Sequence, residues 1–184
     1  MGVNWAAGLI RWHPHVRRTG ERMSLSHLHP FRFNASLEPE AGKPARVVSI
    51  HVGFSSHVFT CDVEDAGPSA ERYSDNRETR AFDEERYTWS FRLKGIVTEL
   101  ENRKCYFARQ NHFATFEPHD ICTRLEYRVF FTMRRRDSSS LDLIVQSAYV
   151  ANTDLSRHRL GKKPIRFCVI ATRVLAGRAV VEAR

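Results

Sequence analysis

The chain has 184 residues, 42% of them hydrophobic, and a formal charge of +8. This is enough for one domain with a sizeable core, and no apolar run approaches the ~20 residues that a bilayer span needs, so a soluble, non-membrane, cytoplasmic protein is expected. The positive balance favours a polyanionic partner, RNA or DNA.

Residues 1–45 carry little hydrophobic periodicity and read as a flexible or loosely docked arm. No basic residue precedes the mildly apolar start and no small-residue cleavage site follows it, so it does not read as a secretory leader. Met23 offers a second start. Residues 46–52 and 57–63 are strand-like and are joined by Gly53-Phe54-Ser55-Ser56, a hairpin pattern with a half-buried His57 beside a core Cys61. Residues 64–81 read as a polar loop broken at Gly67-Pro68, with Arg72, Arg77 and Arg80 within reach of a phosphate.

The spacing predicts one main helix over 83–101. Asp83 is a good N-cap, Glu84 and Glu85 suit the positive end of the dipole, and Trp89, Leu93, Ile96, Val97 and Leu100 form one apolar stripe. Gly95 within it marks close packing on a sheet. An antiparallel meander of four strands follows, with runs around Cys105, His112, Leu125 and Leu141. A two-residue turn at Gln110-Asn111 sets Arg109 opposite His112, Phe107 opposite Ala114 and Cys105 opposite Phe116. In the third strand Leu125, Tyr127, Val129, Phe131 and Met133 face the core, and Arg124, Glu126 and Arg128 line a wetter face. Arg134-Arg135-Arg136-Asp137 and the serines after it form a basic, flexible connection. Residues 141–150 read as a central strand, 164–170 as the last strand, and 171–176 as a short helix stopped by Gly177. The domain therefore covers 46–177, with a tail over 178–184. The fold class is α+β: an antiparallel sheet of five to seven strands with one main helix packed on it.

The chain contains no phosphate loop, no dinucleotide fingerprint, no nucleophile elbow and no His-Glu-x-x-His. Cys61, Cys105, Cys122 and Cys168 are widely spaced, with no C-x-x-C pair. They read as reduced thiols rather than zinc ligands, and neither a metal nor a cofactor is expected. What remains is a sheet carrying Arg, His, Tyr and Glu. Such parts can cleave RNA without metal: a base takes the 2′-hydroxyl proton, an acid protonates the leaving oxygen, and arginines hold the phosphate charge. His112 is the candidate acid or base, with Arg109 and Arg128 as catalytic phosphate holders. Arg124, Arg134, Arg135, Arg136, Lys162 and Lys163 are candidate nucleic-acid contacts, and Tyr149 or Tyr127 could stack a base.

The segment Leu125-Glu-Tyr-Arg-Val-Phe-Phe-Thr-Met133, its polar turn, and Leu141-Asp-Leu-Ile-Val-Gln-Ser-Ala-Tyr149 resemble the central strand pair of RelE-type toxins, within the barnase/EndoU/colicin-like ribonuclease group. The resemblance runs from about residue 83 to Tyr149. It implies metal-free RNA cleavage and a protein partner such as an antitoxin. Arg128, in Tyr-Arg-Val, matches the position of one family arginine; where the second is expected, Ala-Tyr-Val-Ala-Asn stands instead. The segments Gln-Ser-Ala-Tyr-Val and Lys-Lys-Pro-Ile-Arg-Phe-Cys-Val-Ile are also similar to short bacterial proteins of uncharacterised function. The leading expectation is an RNA-binding protein of toxin or phage-defence type with ribonuclease activity. The alternative is a non-enzymatic protein-interaction module of a bacterial assembly.

Overall fold

The computed structural model describes residues 10–37, 45–109, 112–120, 125–152 and 163–180. In chain order a short hairpin comes first, β1 (His15–Val16) with β2 (Arg22–Met23), then β3 (Phe31–Leu37) and β4 (Arg46–Phe54). A small sheet follows, from β5 (Thr60–Cys61), β6 (Arg72–Ser74) and β7 (Thr79–Phe82), with α1 (Val63–Ala66) between the first two. Next come α2 (Glu84–Ser90) and α3 (Leu93–Thr98). The meander is β8 (Lys104–Arg109), β9 (His112–Asp120), β10 (Leu125–Arg135) and β11 (Ser140–Asn152), and β12 (Pro164–Arg166) leads into α4 (Phe167–Leu175).

Seven strands form the large sheet in the order β12-β8-β9-β10-β11-β4-β3, and β5-β7-β6 form the small one. The fold is α+β as expected, and the four-strand meander lies at its centre. Several features differ from the expectations, three of them in the layout of strands and helices. The large sheet is mixed, because β4 runs parallel to β11, with Ser49 opposite Ser140 and Phe54 opposite Val145. β4 takes β3 as its antiparallel partner, so the hairpin expected between 46–52 and 57–63 does not form. Ser56–Val58 instead make a 3-10 turn, and the two-residue β5 pairs with β7. Thirdly, the helix expected over 83–101 is broken into α2, α3 and a 3-10 turn at Leu100–Asn102. The break falls at Phe91, which is 55% exposed and stacks on His27 at 3.8 Å.

The apolar stripe survives that break. Leu93, Ile96, Val97 and Leu100 are all buried, and the Asp83 side chain caps α2 by accepting from the Arg86 backbone N–H at 3.0 Å. Gly95 is exposed, and a Cβ there would meet nothing within 4 Å, so it marks no close packing. Residues 164–170 do not form one strand: three residues pair with β8, and the helix starts at Phe167. Gly177 ends α4 at φ 68°, a conformation that glycine adopts without steric cost.

Residues 10–37, read from sequence as a loose arm, belong to the fold. Trp12, Leu25, Leu28, Ala35 and Leu37 are buried in the same hydrophobic cluster as Phe131 and Phe167. The residues expected as a loop over 64–81 form α1, β6 and β7. Cys61, Cys105 and Cys168 are free thiols; Cys122 lies outside the described residues. Among the described residues, no helix is long and apolar enough to cross a membrane.

Candidate nucleic-acid interface

Alternation along β10 gives the large sheet two faces. Tyr127, Val129, Phe131 and Met133 point to one face and are buried. The helices pack there: Trp89 of α2 meets the Tyr127 ring at 5.3 Å, and both Arg92 and Arg103 pair with Glu117, which lies opposite Tyr127. The other face carries Glu126, Arg128, Phe130, Thr132 and Arg134. A bulge in β11 at the Phe130/Phe131 pairing keeps its side chains in step, so Tyr149 and Asp142 share this second face, which is open at its Arg134 and Arg136 end, although Glu126, Arg128 and Thr132 within it are buried.

At one end of the open face, Arg32, His51, Asp142 and Arg134 lie opposite one another across β3, β4, β11 and β10. Asp142 is 1% exposed. Its carboxylate accepts from Arg134 Nε at 2.9 Å and from an Arg136 terminal nitrogen at 3.0 Å, while the two arginine side chains stay 46% and 44% exposed. A buried carboxylate thus fixes two guanidinium groups and leaves their outer faces to solvent. The connection after them, expected to be flexible, is braced. Asp137 accepts from the Ser139 backbone N–H at 2.7 Å and from the Ser140 hydroxyl, and these bonds pull its carboxyl down to about 2. Arg135 donates to the Asp137 carbonyl at 3.1 Å, and Arg46 donates to the Ser138 carbonyl.

Toward the other end, four half-buried rings lie around Arg128. Tyr106 meets Phe116 at 5.0 Å, and Phe130 meets Tyr149 at 5.7 Å. Arg128 is 1% exposed and donates through Nε to Glu126 at 2.7 Å. Lys104 and Arg166 are exposed on the flanking strands β8 and β12 and lie opposite each other. The described carboxylates of this face, Glu126 and Asp142, are both buried and both paired with arginine. Among the described residues, its exposed charge is therefore positive.

The sequence-predicted residues are distributed over this surface rather than gathered. Arg109 lies opposite His112 at the end of the β8–β9 hairpin, as expected. The register beyond that pair differs: Phe107 faces Phe113 and Cys105 faces Thr115, because a bulge falls between Phe107 and Arg109. His112 lies opposite Thr132, four residues from Arg128. Strand rise and spacing put His112 and Arg128 roughly 14 Å apart, too far to hold one phosphate together. His112 and His51 are separated by a similar distance, about 16 Å. Tyr149 is on the open face and Tyr127 is enclosed on the other. Arg134, Arg135 and Arg136 are exposed at the braced turn, and Lys163 is exposed just before β12. Arg124 and Lys162 lie outside the described residues. Arg32, His51, Asp142, Lys104 and Arg166 were not singled out from sequence; for the strand residues among them the available signal was polar alternation within a strand.

Two other clusters do less. Ser56 donates to Glu78 at 2.8 Å and His57 Nε2 lies 3.2 Å from the same oxygen. The residue types are those of a hydrolytic triad, but the carboxylate stands between hydroxyl and imidazole, so the serine is not paired with the imidazole as a triad requires. Arg80, one of the three arginines placed near phosphate from sequence, is 7% exposed and donates to Thr60 and Asp62, while Arg77 is held by Asp75. A cleft of about 420 Å³ lies between Trp12, His13, Tyr73 and Arg77. Among the described residues, no group of three His, Cys, Asp or Glu side chains could hold a metal ion.

A family model matches residues 14–175, from the strand before the first hairpin turn to the end of α4. The chain belongs to the YjaZ family. No curated protein and no solved structure matches it. The YjaZ match covers β3 and the β1–β2 hairpin as well as the meander, so the family domain takes in the segment that sequence periodicity left out. The resemblance to ribonuclease toxins expected for the β10–β11 segments gains no support from this match.

Proposed function

We propose that this protein binds nucleic acid, RNA in the first place, on the open face of its large sheet. The observation that carries the reading is the Asp142 brace: two half-exposed guanidinium groups held in fixed positions by a buried carboxylate, on a face whose described carboxylates are both buried. Arginines held this way offer paired N–H donors to phosphate oxygens without ordering two free side chains on binding. The charge of +8 adds long-range attraction for a polyanion.

The reading is binding rather than cleavage. Arg128 is engaged by Glu126 and lies far from His112, so RNA cleavage here would rest on His112 and Arg109 alone. Incubation with total RNA in EDTA is expected to leave the RNA intact, and cleavage relieved by His112→Ala would restore the ribonuclease reading.

Titration of a labelled RNA at several salt concentrations tests the binding itself. Affinity should fall steeply between about 50 and 200 mM salt, and Arg134→Ala and Arg136→Ala should each reduce the slope of log K against log salt by about 1. Salt-independent binding, or none at low salt, would reject the proposal.

A further inference from the structure

Charge explains attraction to any nucleic acid; the aromatic half of the face discriminates among them. Tyr106, Phe116, Phe130 and Tyr149 come from four successive strands, β8 to β11. Pairing fixes their arrangement. Tyr106 lies opposite Ala114, which lies opposite Phe130; in the neighbouring row Phe116 lies opposite Arg128, which lies opposite Tyr149. Phe130 and Tyr149 are near parallel, with 18° between their planes, and the Arg128 guanidinium lies 6.0 Å from the Phe116 ring centre. Ala114 contributes only a methyl group between Tyr106 and Phe130. The four rings lie outside the main hydrophobic cluster, but the Arg86 guanidinium of α2 lies 5.4 Å from the Tyr149 ring centre and covers that ring, which leaves Tyr106 and Phe130 as the stacking surface.

We infer that this protein takes single-stranded nucleic acid, with unpaired bases stacked on Tyr106 and Phe130 and the backbone leading to Arg134 and Arg136. This inference rests on the nucleic-acid reading above. A duplex presents phosphates and groove edges but keeps its base faces inside the stack, so a flat aromatic surface gains nothing from it; an unpaired base offers a π-face to any ring. The Arg128 row and Arg134 are about 20 Å apart along β10. That is within the span of the roughly 4–16 nucleotides covered by single-strand binding modules.

The test compares four probes of about 12 nucleotides at one salt concentration: a mixed-sequence RNA and its DNA counterpart, each single-stranded and each annealed to its complement, titrated with the full chain by fluorescence anisotropy. At least one single-stranded probe should bind roughly tenfold tighter than its duplex, as expected when stacking contributes per base. Tyr106→Ala and Phe130→Ala should each weaken single-strand binding by roughly tenfold and leave duplex affinity and the salt slope unchanged, because a ring carries no charge. Tyr106→Phe should retain binding, which separates loss of the ring from loss of the hydroxyl. The wild-type comparison needs no variant to fold. Duplexes bound as tightly as single strands would overturn this inference while leaving the polyanion reading in place; no binding to any of the four probes would remove both.

Discussion

Glu126 and Arg128 show what a buried ion pair does on an otherwise wet face. Both side chains are at most 4% exposed, and the carboxylate accepts from Arg128 Nε at 2.7 Å. Removing one partner from such a pair costs more than removing both, because a desolvated charge remains. Glu126→Ala should lower stability by about 3 kcal/mol, read as a fall in the urea midpoint at constant slope, and the double change Glu126→Leu with Arg128→Met should recover most of that loss. His27 gives a different residue-scale signal. Burial, and after it the charge of His29, lower its imidazole from 6.5 to about 4. Its ring stacks on Phe91 and lies 2.6 Å from the Ser90 hydroxyl. Between those two values the unfolded chain binds the proton more readily than the folded one, so this residue's contribution is full above pH 6.5 and shrinks as pH falls toward 4. Denaturant midpoints across that range should decline with acid, and His27→Gln should flatten the decline. Alternation in the sequence placed Arg128 with Glu126 on the face opposite Tyr127, as observed, but the wetter surroundings expected there are not found: Arg128 is 1% exposed, and its burial depends on neighbouring strands, which no local pattern specifies.

At the scale of elements, the meander was the most legible part of the sequence. Strands β8 to β11 follow one another in space as in the chain, so turn residues and alternation were sufficient to find them. The register was less legible. One extra residue between Phe107 and Arg109 shifts every pair behind the Arg109–His112 pair, and nothing in Phe-Ala-Arg announces a bulge. The helical region shows the same division: the Asp83 cap and the apolar stripe were readable, while the break falls at Phe91, whose ring stacks on His27, more than sixty residues earlier, a contact that no local pattern announces. Gly95 lies in the interior of α3, exposed and with open space where a Cβ would stand. Gly95→Ala should therefore raise stability by about 1 kcal/mol, because the unfolded chain loses freedom while the helix loses no contact. A rise in melting temperature of about 2–4 °C is the expected readout for a domain of this size.

At the scale of the whole molecule, one hydrophobic cluster joins parts that look separate in sequence. Trp12, Phe59 and Tyr73 pack edge to face beside the small sheet, and the same cluster continues to Phe131 and Phe167 in the large one. Trp12 and Trp89 therefore report from two regions of one hydrophobic cluster, which is expected to unfold as a single unit. Unfolding followed by tryptophan fluorescence in Trp12→Phe and Trp89→Phe variants should give midpoints that coincide with the loss of far-UV circular dichroism; two separated transitions would divide the molecule into independent units. Within residues 10–37 the seven-residue β3 carries a period-two pattern, Phe31-Arg-Phe-Asn-Ala-Ser-Leu37, that was readable and was passed over, whereas the elements before it are too short to show one. β1 and β2 have two residues each, too few for any period to show, although Leu25 and Leu28 between them and β3 are fully buried.

The parallel pairing of β4 with β11 also governs how the chain is made. Its partners, such as Ser49 and Ser140, are about ninety residues apart. During synthesis at about 5–20 residues per second, the β4 edge stays unpaired for several seconds until β11 emerges. Throughout that interval the run from Val47 to Phe54, with Val48, Ile50, Val52 and Phe54 destined for the core, is an open template for another strand. Slow translation and crowded expression are the conditions under which this protein is most exposed to misassembly, and the vulnerable segment is β4.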